Sequence, residues 1–448
     1  MERVLVLGLG ISGLAASELL LRDGYDVTAV DRNSKDLELS PAALRLVELG
    51  MKIRDEGDVE DFSQYDKLIV SPGVSPDHPL YRQACSRGIE IVGEAQLALQ
   101  RARQPCIGIT GTNGKTTVTL LAEHILRSAG RKAQALGNVG RSLAAYFLAP
   151  DPEEIIVAEL SSYQLETLHA PVLNSGIILN ITPDHLDRYA GMHDYARAKC
   201  RLQLCMKAGG LLYVHAAAAR EYCDLLLHEH LMTFGCDPDA LFYTNCQYAE
   251  NKGEKEPGLE YALPISFHGL GIHDSENALA AWLITRPFGI SVEQFVQALG
   301  TFRKPAHRIE HIANINGVDY YDDSKGTNID AVIKAVGAMQ GQVILLAGGV
   351  DKGASYTLWK GPFAGKVKQI FAFGQAREKI AQEAGKFCQV QLVRDLEHAV
   401  HAAALVARKG ECVLLSPGCS SFDMFRDYAH RGKEFERYVL DIQKEVTT

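Results

Sequence analysis

The stretch CIGITGTNGKTTVTLLAEHILRSAG, residues 106–130, combines a short apolar run, a glycine-rich turn and a helical pattern. A strand that leads through such a turn into a helix presents backbone amides and a helix N-terminus, which together bind phosphate. The loop departs from the usual spacing, because Ile109 stands where the phosphate-loop pattern has its first glycine. Lys115 is still predicted to reach the β and γ oxygens of a nucleotide, and Thr116 to hold Mg²⁺.

Acidic residues follow two later strand-like runs. Glu159 closes the run IIVAEL, and Asp184, His185 and Asp187 follow the run IILNIT. A magnesium-binding acid is expected at a strand end beside the phosphate loop, a place that Glu159 fits. The group Asp184, His185 and Asp187 is a candidate second metal site. The alternatives are that Glu159 is a buried structural carboxylate and that the His-Asp group only caps the end of its strand.

A second glycine-rich loop, GLGISG at residues 8–13, stands near the N-terminus. It follows the run VLVL and precedes a helical pattern, and Asp31 ends the next apolar run. That context is typical of dinucleotide binding, in which the acid accepts a ribose hydroxyl. A nicotinamide or flavin cofactor, another nucleotide, and tight packing without a ligand all remain open from this motif.

Short apolar runs alternate with glycine turns and helical patterns along the whole chain, which predicts an α/β fold with largely parallel sheets. The segment IEHIANINGVDYYDD is predicted to be a β-hairpin that turns at Asn316-Gly317. Breaks near Pro105 and in FRKPAHR divide the chain into three predicted domains. They are a Rossmann-like domain (1–95), a central ATP-binding domain of P-loop type (96–303) and a second Rossmann-like domain (304–448).

Composition excludes several classes of protein. The 448 residues carry a net charge of −9, which argues against binding to nucleic acid or to an anionic membrane. The first residues lead directly into a strand-like run, so no signal peptide is expected, and no apolar stretch approaches a membrane span. The ten cysteines form no CxxC pair, which favours reduced thiols and a cytoplasmic protein. A monomer is expected.

Six motifs together resemble the Mur ligases of bacterial cell-wall synthesis. They are GTNGKTT, ELSSYQLE, NITPDHLDRY with a lysine at 199, HRIE, DDSKGTN and LLSPGCSSFDMF, and they cover all three predicted domains. The GTNGK loop of that family also lacks the strict phosphate-loop spacing. The resemblance implies that the first glycine loop holds the UDP end of a substrate and not a nicotinamide. Both glycine loops would then bind nucleotides.

Within the family, SPGV at 71–74, DHLDRY at 184–189 and SPGCSSFDMF at 416–425 resemble the branch that adds D-glutamate to UDP-N-acetylmuramoyl-L-alanine. The implied UDP-substrate residues are Ser12, Asp31, Ser71, Gly73 and Asn138. The implied ATP residues are Gly111, Thr112, Asn113, Gly114, Lys115, Thr116, Thr117, Val118, Asn277, Arg308 and Asp323. The implied D-glutamate residues are Thr327, Lys352, Ser421 and Tyr428. Two residues depart from the family pattern: Asp274, where asparagine is frequent, and Asn33, where arginine is frequent.

The resemblance implies an ATP-driven amide ligation through an acyl phosphate, with Lys115, Glu159, His185 and Lys199 as catalytic residues. Two Mg²⁺ ions are implied, with Thr116, Glu159, His185 and Lys199 as ligands. An ammonium repels Mg²⁺, and the family resolves this by carbamylation of the lysine, whereas the residues alone predict a solvated helix lysine at 199.

Other functions stay open from the sequence. A different Mur-type ligase or a folylpolyglutamate-type ligase would share most of the motifs. An NAD-dependent oxidoreductase would account for GLGISG and Asp31 but would leave Lys115 without a task. A nucleotide-driven switch protein would account for the second loop but not for the DDSKGTN and SPGCSSFDMF loops.

Overall fold

The structure, a computed structural model, describes residues 1–32, 40–59, 62–227, 231–244, 249–251 and 272–447. Asn33 lies outside these residues. The contacts divide the chain into two units. The first comprises Met1–Ile181 with the described parts of His193–Phe267 and Asp274–Phe302, and the second comprises Thr182–Met192, the described part of His268–His273, and Arg303–Thr448.

The N-terminal sheet has five parallel strands in the order β3-β2-β1-β4-β5. The chain order reverses between β1 and β4, so a crevice forms at the carboxyl ends of these two strands, where α/β proteins bind ligands. The loop GLGISG follows β1, and Ser71 follows β4. The elements are β1 (Arg3–Leu7), α1 (Ile11–Arg22), β2 (Asp26–Asp31), α2 (Pro41–Glu48), β3 (Lys52–Asp55), β4 (Lys67–Val70), α3 (Pro79–Ser86), β5 (Glu90–Gly93) and α4 (Glu94–Leu99).

The central sheet has eight strands in the order β13-β12-β11-β10-β9-β6-β8-β7, and only the β12–β13 pair is antiparallel among its described strands. The strands are β6 (Cys106–Thr110), β7 (Ala133–Gly137), β8 (Ile155–Glu159), β9 (Leu173–Ile178), β10 (Met206–His215), β11 (Leu231–Gly235), β12 (Phe242–Thr244) and β13 (Ala249–Asn251). The helices are α5 (Lys115–Ser128), α6 (Leu143–Phe147), α7 (Ser162–Glu166), α8 (Met192–Cys200), α9 (Ala216–Glu221), α10 (Ile272–Thr285) and α11 (Val292–Thr301).

The C-terminal sheet has six strands in the order β14-β15-β19-β16-β17-β18, and β14 and β15 form the predicted antiparallel hairpin. Asn316 (φ 53°) and Gly317 (φ 81°) both have the positive φ that a tight hairpin turn requires. The strands are β14 (Glu310–Ile315), β15 (Val318–Asp322), β16 (Val343–Gly348), β17 (Val367–Phe373), β18 (Gln389–Leu392) and β19 (Cys412–Leu415). The helices are α12 (Ile329–Ala338), α13 (Lys360–Phe363), α14 (Arg377–Ala384), α15 (Leu396–Val406) and α16 (Tyr428–Thr447).

Apolar side chains cover these sheets and hold the strand ends in place. In the central sheet, Ile107 and Ile109 of β6 pack with Val118, Leu121 and Ile125 of α5, so the helix that begins at the phosphate loop is fixed against the strand that precedes it. The C-terminal sheet carries a separate buried cluster on each face. Among the described residues, none of the helices is both long enough and apolar enough to cross a membrane.

The predicted α/β fold with three largely parallel sheets is confirmed. The first sheet ends at Gly93, the second begins at Cys106 and the third begins at Glu310. The domain boundaries at residues 95 and 303 stay predictions.

Candidate active site

The phosphate loop between β6 and α5 needs glycine at two positions. Gly111 has φ 153° and Gly114 has φ 86°, backbone angles that residues with a side chain rarely adopt. A Cβ atom at Gly111 would lie 2.9 Å from the Cβ of Leu179, and one at Gly114 would lie 2.6 Å from the Oδ1 of Asn277. The loop is therefore closely packed against the end of β9 and against α10, and Asn277 of α10 lies beside it.

Asn180, just after β9, holds the loop in shape. Its carbonyl oxygen accepts from the Thr112 amide at 2.9 Å, its Oδ1 accepts from the Asn113 amide at 2.8 Å, and its Nδ2 donates to the Asn113 carbonyl at 3.0 Å. The Nζ of Lys115 lies over the same loop and donates to the carbonyl oxygens of Gly111 (2.8 Å) and Thr112 (2.9 Å). The ammonium group of Lys115 and the N-terminus of α5 thus lie at the same loop. Thr116, Thr117 and Val118 follow in the first turn of α5.

Glu159 is a buried carboxylate beside this loop. It ends β8 opposite Ile109 of β6 and is only 1% exposed. Its Oε1 accepts from the Nδ2 of Asn138 at 2.8 Å, and its backbone carbonyl accepts from the Asn138 amide at 3.0 Å. Its Oε2 has no hydrogen-bond partner among the described residues. A buried carboxylate oxygen left in this state is costly unless a cation pairs with it, so Glu159 fits a metal ion bound beside the phosphate loop.

Lys199 lies on α8 and also reaches the phosphate loop. It is 1% exposed, so the prediction of a solvated helix lysine, made from the residues alone, is wrong. Its Nζ donates to the Gly111 carbonyl at 2.7 Å and stands 4.6 Å from the centre of the Tyr195 ring. The Tyr195 hydroxyl lies 3.2 Å from the Oγ1 of Thr112. The pattern of apolar residues along α8 does not predict this contact, because the contact depends on how the helix packs against the phosphate loop in the tertiary fold.

Two of the residues predicted to bind D-glutamate, Lys352 and Thr327, are in contact in the second unit. The Nζ of Lys352 donates to the Oδ1 of Asp184 at 3.1 Å and to the Oγ1 of Thr327 at 3.4 Å. The Nδ2 of Asn328 donates to the Oδ2 of the same aspartate at 3.3 Å. His185 adjoins this group with φ 55°, and its Nε2 lies 3.6 Å from that Oδ2. Asp184 therefore forms an ion pair with Lys352, the lysine predicted to bind D-glutamate, and the sequence did not indicate this contact.

Two further acceptor candidates lie on the loop after β19 and at the start of α16. Ser421 is buried, and the carbonyl oxygen of Tyr428 accepts from the Oγ of Ser324 at 2.8 Å. The Nζ of Lys325 stands 3.9 Å from the centre of the Tyr428 ring. Tyr428 is thus fixed to the loop DDSKGTN that also carries Thr327.

Arg308 and Asp323 also lie in the second unit. Asp323 accepts from the Oγ of Ser416 at 2.7 Å. Burial raises the pKa of Asp323 to about 7, although the Ser416 hydrogen bond and the charge of Arg308 both act to lower it. Asp323 and Arg308 are therefore close enough for the two to act on one ligand. Asn277, the third predicted adenine or ribose contact, lies in the first unit.

Arg308 stands between two residues with left-handed backbone, His307 (φ 63°) and Ile309 (φ 51°). For a β-branched residue such as Ile309 this conformation costs about 1–3 kcal/mol, so the surroundings must impose it. The Nδ1 of His307 lies 2.6 Å from the Oδ2 of Asp322, a contact that raises the pKa of the imidazole, and the His307 amide donates to Glu310 at 2.8 Å. These contacts hold the segment that presents Arg308.

Four of the five predicted UDP-substrate residues lie at the crevice of the N-terminal sheet. The Oγ of Ser71 donates to the Gly8 carbonyl at 2.8 Å, and the Leu9 amide donates to the Oδ2 of Asp31 at 2.7 Å. Ser12 lies in the first turn of α1, and Gly73 is exposed. Asn138 lies apart from this crevice on the loop after β7, where it contacts Glu159.

Three family models match successive parts of the chain. The Mur ligase MurD-like N-terminal domain matches residues 2–93, the Mur ligase middle domain matches 109–285, and the Mur ligase glutamate ligase domain matches 307–419.

Curated relatives match over nearly the whole length. A UDP-N-acetylmuramoylalanine–D-glutamate ligase of Protochlamydia amoebophila is 46% identical over 98% of this chain and 98% of its own. The enzyme of the same name from Caldanaerobacter subterraneus subsp. tengcongensis is 38% identical over 99% of each chain.

Solved structures share the fold at low identity. The MurF structure of Acinetobacter baumannii matches with a TM-score of 0.59 and 17% identity over 93% of both chains. The UDP-N-acetylmuramate-alanine ligase MurC of Thermotoga maritima matches with a TM-score of 0.57 and 18% identity over 98% of this chain and 100% of its own.

Proposed function

The chain belongs to the Mur ligase family, and from that premise we propose that it joins D-glutamate to UDP-N-acetylmuramoyl-L-alanine at the expense of ATP, in peptidoglycan precursor synthesis. The observation that carries this proposal is the 46% identity, over 98% of both chains, to a relative with that activity in its name. The contacts around the phosphate loop and around Lys352 support it, because they provide the charges that the reaction needs.

The reaction has two steps. A carboxylate oxygen of the UDP-N-acetylmuramoyl-L-alanine attacks the γ-phosphorus of ATP, the bond to the β-phosphate oxygen breaks, and ADP leaves behind an acyl phosphate. The D-glutamate ammonium loses a proton, and the free amine attacks the acyl carbon to give a tetrahedral intermediate. The nitrogen then loses a second proton, and inorganic phosphate leaves as the amide forms. The first step brings two anions together, so positive charge placed in advance lowers its barrier.

Lys115 is proposed to supply part of that charge. Its Nζ donates hydrogen bonds to the carbonyl oxygens of Gly111 and Thr112, which places its charge over the loop. The amides of the loop and the N-terminus of α5 would hold the phosphates. Asn277, Arg308 and Asp323 would hold the adenine and ribose.

Thr116, Glu159 and Lys199 are proposed metal ligands in the first unit, and His185 in the second. Mg²⁺, when bound, neutralises phosphate oxygens and fixes their orientation. Glu159 is prepared for this role, because Asn138 holds its Oε1 while its Oε2 stays without a partner among the described residues. Carbamylation of Lys199 would turn a cation into an anion that suits a metal ion: the ammonium loses a proton, the free amine adds to CO₂, and a second proton leaves the nitrogen.

The substrates are proposed to bind at two further places. Ser12, Asp31, Ser71 and Gly73 would contact the uridine end in the crevice of the N-terminal sheet. Thr327, Lys352, Ser421 and Tyr428 would contact D-glutamate, with the ammonium of Lys352 facing a carboxylate. A cytoplasmic location and a monomeric state are proposed as well.

Phosphate release tests the function directly. The purified protein is incubated with ATP, Mg²⁺, UDP-N-acetylmuramoyl-L-alanine and D-glutamate, and each component is omitted in turn. We expect phosphate release only in the complete mixture. The product should be heavier than UDP-N-acetylmuramoyl-L-alanine by one glutamyl residue. Phosphate release that does not depend on D-glutamate would contradict the proposal. Binding of a nicotinamide cofactor without phosphate release would also contradict it.

A further inference from the structure

Arg431, in the first turn of α16, is fully buried and has no place in the reaction described above. It is 0% exposed. Burying a guanidinium costs free energy unless its N–H groups are hydrogen-bonded, and an apolar side chain of similar volume would avoid that cost. Such a residue therefore needs an explanation beyond packing.

The guanidinium joins three loops through four hydrogen bonds. Its Nε donates to the Oγ of Ser324 at 3.0 Å, and its Nη2 donates to the Ser324 carbonyl at 2.8 Å. Its Nη1 donates to the Cys419 carbonyl at 3.2 Å and to the Gly348 carbonyl at 3.4 Å. Its hydrogen-bond acceptors in the described part of the chain are thus carbonyl and hydroxyl oxygens, and no carboxylate is among them.

The three acceptor positions lie at the carboxyl ends of three neighbouring parallel strands. Ser324 follows β15, Cys419 follows β19 and Gly348 ends β16, and β19 pairs with both other strands. The carboxyl ends of parallel strands are where α/β domains bind ligands. Arg431 therefore connects the loops at the ligand-binding edge of this sheet.

Each of these loops also carries a proposed D-glutamate residue. Thr327 lies on the loop of Ser324, Lys352 follows Gly348, and Ser421 follows Cys419. Tyr428 begins the same helix as Arg431, and its carbonyl oxygen accepts from the Ser324 hydroxyl that Arg431 also contacts.

We infer that Arg431 is a positioning residue for the amino-acid pocket: it does not touch D-glutamate but sets the distances between the groups that do. A planar guanidinium with five N–H donors can serve three loops at fixed angles, which the single ammonium of lysine cannot do. The inference rests on the proposed function, because it takes D-glutamate as the ligand of these loops.

The test is Arg431→Lys in the full-length protein, with Arg437→Lys on the exposed face of the same helix as the matched control. We expect the KM for D-glutamate to rise by about tenfold or more and the KM for the UDP substrate to change by less than about twofold. The KM for ATP should rise less than that for D-glutamate, since Asp323 lies on one of the three loops. Hydrogen exchange without substrates should speed up in the three loops and stay unchanged in the phosphate loop. The control should match the wild type in both measurements.

Ser324→Ala covers the case in which Arg431→Lys does not fold, because it keeps Arg431 and removes only the two hydrogen bonds of the Ser324 hydroxyl, to Arg431 and to the Tyr428 carbonyl. It should raise the KM for D-glutamate in the same direction, by less. A normal KM for D-glutamate in a folded Arg431→Lys protein, or an equal loss for all three substrates, would overturn the inference. Wild-type protein without D-glutamate-dependent phosphate release would instead overturn the proposed function, while faster loop exchange in Arg431→Lys would still support the role of Arg431 in fixing the loops.

Discussion

At the scale of single residues, the site depends on a few charged side chains that are held by neutral ones. Asn138 holds Glu159, Tyr195 lies against Lys199, and Asn180 fixes the phosphate loop. These three residues are uncharged. They determine where the charges stand, and that placement decides how well a charge stabilises a transition state.

Lys115→Ala should fold normally and lose ligase activity by about 10²–10³-fold or more, because the charge near the transferred phosphoryl group is gone. Steady-state phosphate release and a thermal melt measure the two effects. Lys132→Ala, an exposed lysine that pairs with Asp151 and Glu153, serves as the control and should keep full activity. Turnover near the wild-type rate in Lys115→Ala would refute the role of this lysine.

Lys199→Ala should be almost inactive, and a short carboxylic acid in the assay should restore part of the activity by supplying the missing anionic oxygens. The carbamate itself is measured by NMR after addition of ¹³C-bicarbonate. We expect a carbamate signal in the wild type that is absent in Lys199→Ala. Full activity of the variant without added acid would make Lys199 a structural residue.

At the scale of elements, the phosphate loop is shaped by the glycine that precedes α5. Gly114→Ala should weaken ATP binding by at least about tenfold, because its Cβ would meet the Oδ1 of Asn277 at 2.6 Å in addition to the strain of φ 86°. Gly130→Ala is a matched control, since Gly130 has φ 78° but open space around it. It should cost about 1 kcal/mol of stability and leave ATP affinity unchanged, as measured by titration calorimetry. Equal ATP affinity in both variants would show that the contact with Asn277 does not matter.

Helices α4 and α6 meet at a buried carboxyl group. Glu94 is 1% exposed, its Oε1 accepts from the Ala144 amide at 2.6 Å, and its Oε2 has no hydrogen-bond partner among the described residues. Burial raises its pKa from 4.5 to about 7, so the folded state binds more protons than the unfolded state between these pH values. The free energy of unfolding should therefore fall as the pH rises from 4.5 to 7 and stay low above that range.

Glu94→Gln is neutral at every pH and should remove this loss. At pH 8 it should be more stable than the wild type by up to about 3 kcal/mol, with little difference near pH 4.5. Urea unfolding at several pH values measures the effect, and Glu48→Gln on the surface is the control. A stability difference that does not change with pH would mean that Glu94 is ionised in the folded protein.

The elements were also the part that the sequence predicted best. The strand ends at Asp31 and Glu159, the helix from Lys115 and the hairpin at Asn316-Gly317 follow from local patterns of apolar residues and glycine. Contacts between distant segments do not follow from such patterns. The burial of Lys199, the pairing of Lys352 with Asp184 and the position of Arg431 depend on tertiary packing, which periodicity along one helix or one loop does not encode.

At the scale of the whole molecule, an acidic protein must bind anionic substrates. The net charge is −9, while ATP, the UDP-sugar and D-glutamate are all anions. Attraction must therefore come from local positive charge after the strand ends, where Lys115 and Lys352 lie, and not from the overall field. Selectivity for the amino acid then follows from the same local charges. An acceptor with a second ammonium would be repelled by Lys352 in a partly desolvated pocket.

The most direct test of the whole account compares amino-acid acceptors with UDP-N-acetylmuramoyl-L-alanine and ATP. D-Glutamate, L-alanine, L-lysine and diaminopimelate are tested by phosphate release and product mass, for the wild type, for Lys352→Ala and for the exposed control Lys360→Ala. Of the four amino acids, we expect only D-glutamate to give product with the wild type and with the control. In Lys352→Ala we expect a strongly raised KM for D-glutamate. Equal phosphate release with L-lysine and D-glutamate in the wild type would contradict the account and assign the chain to another branch of the family.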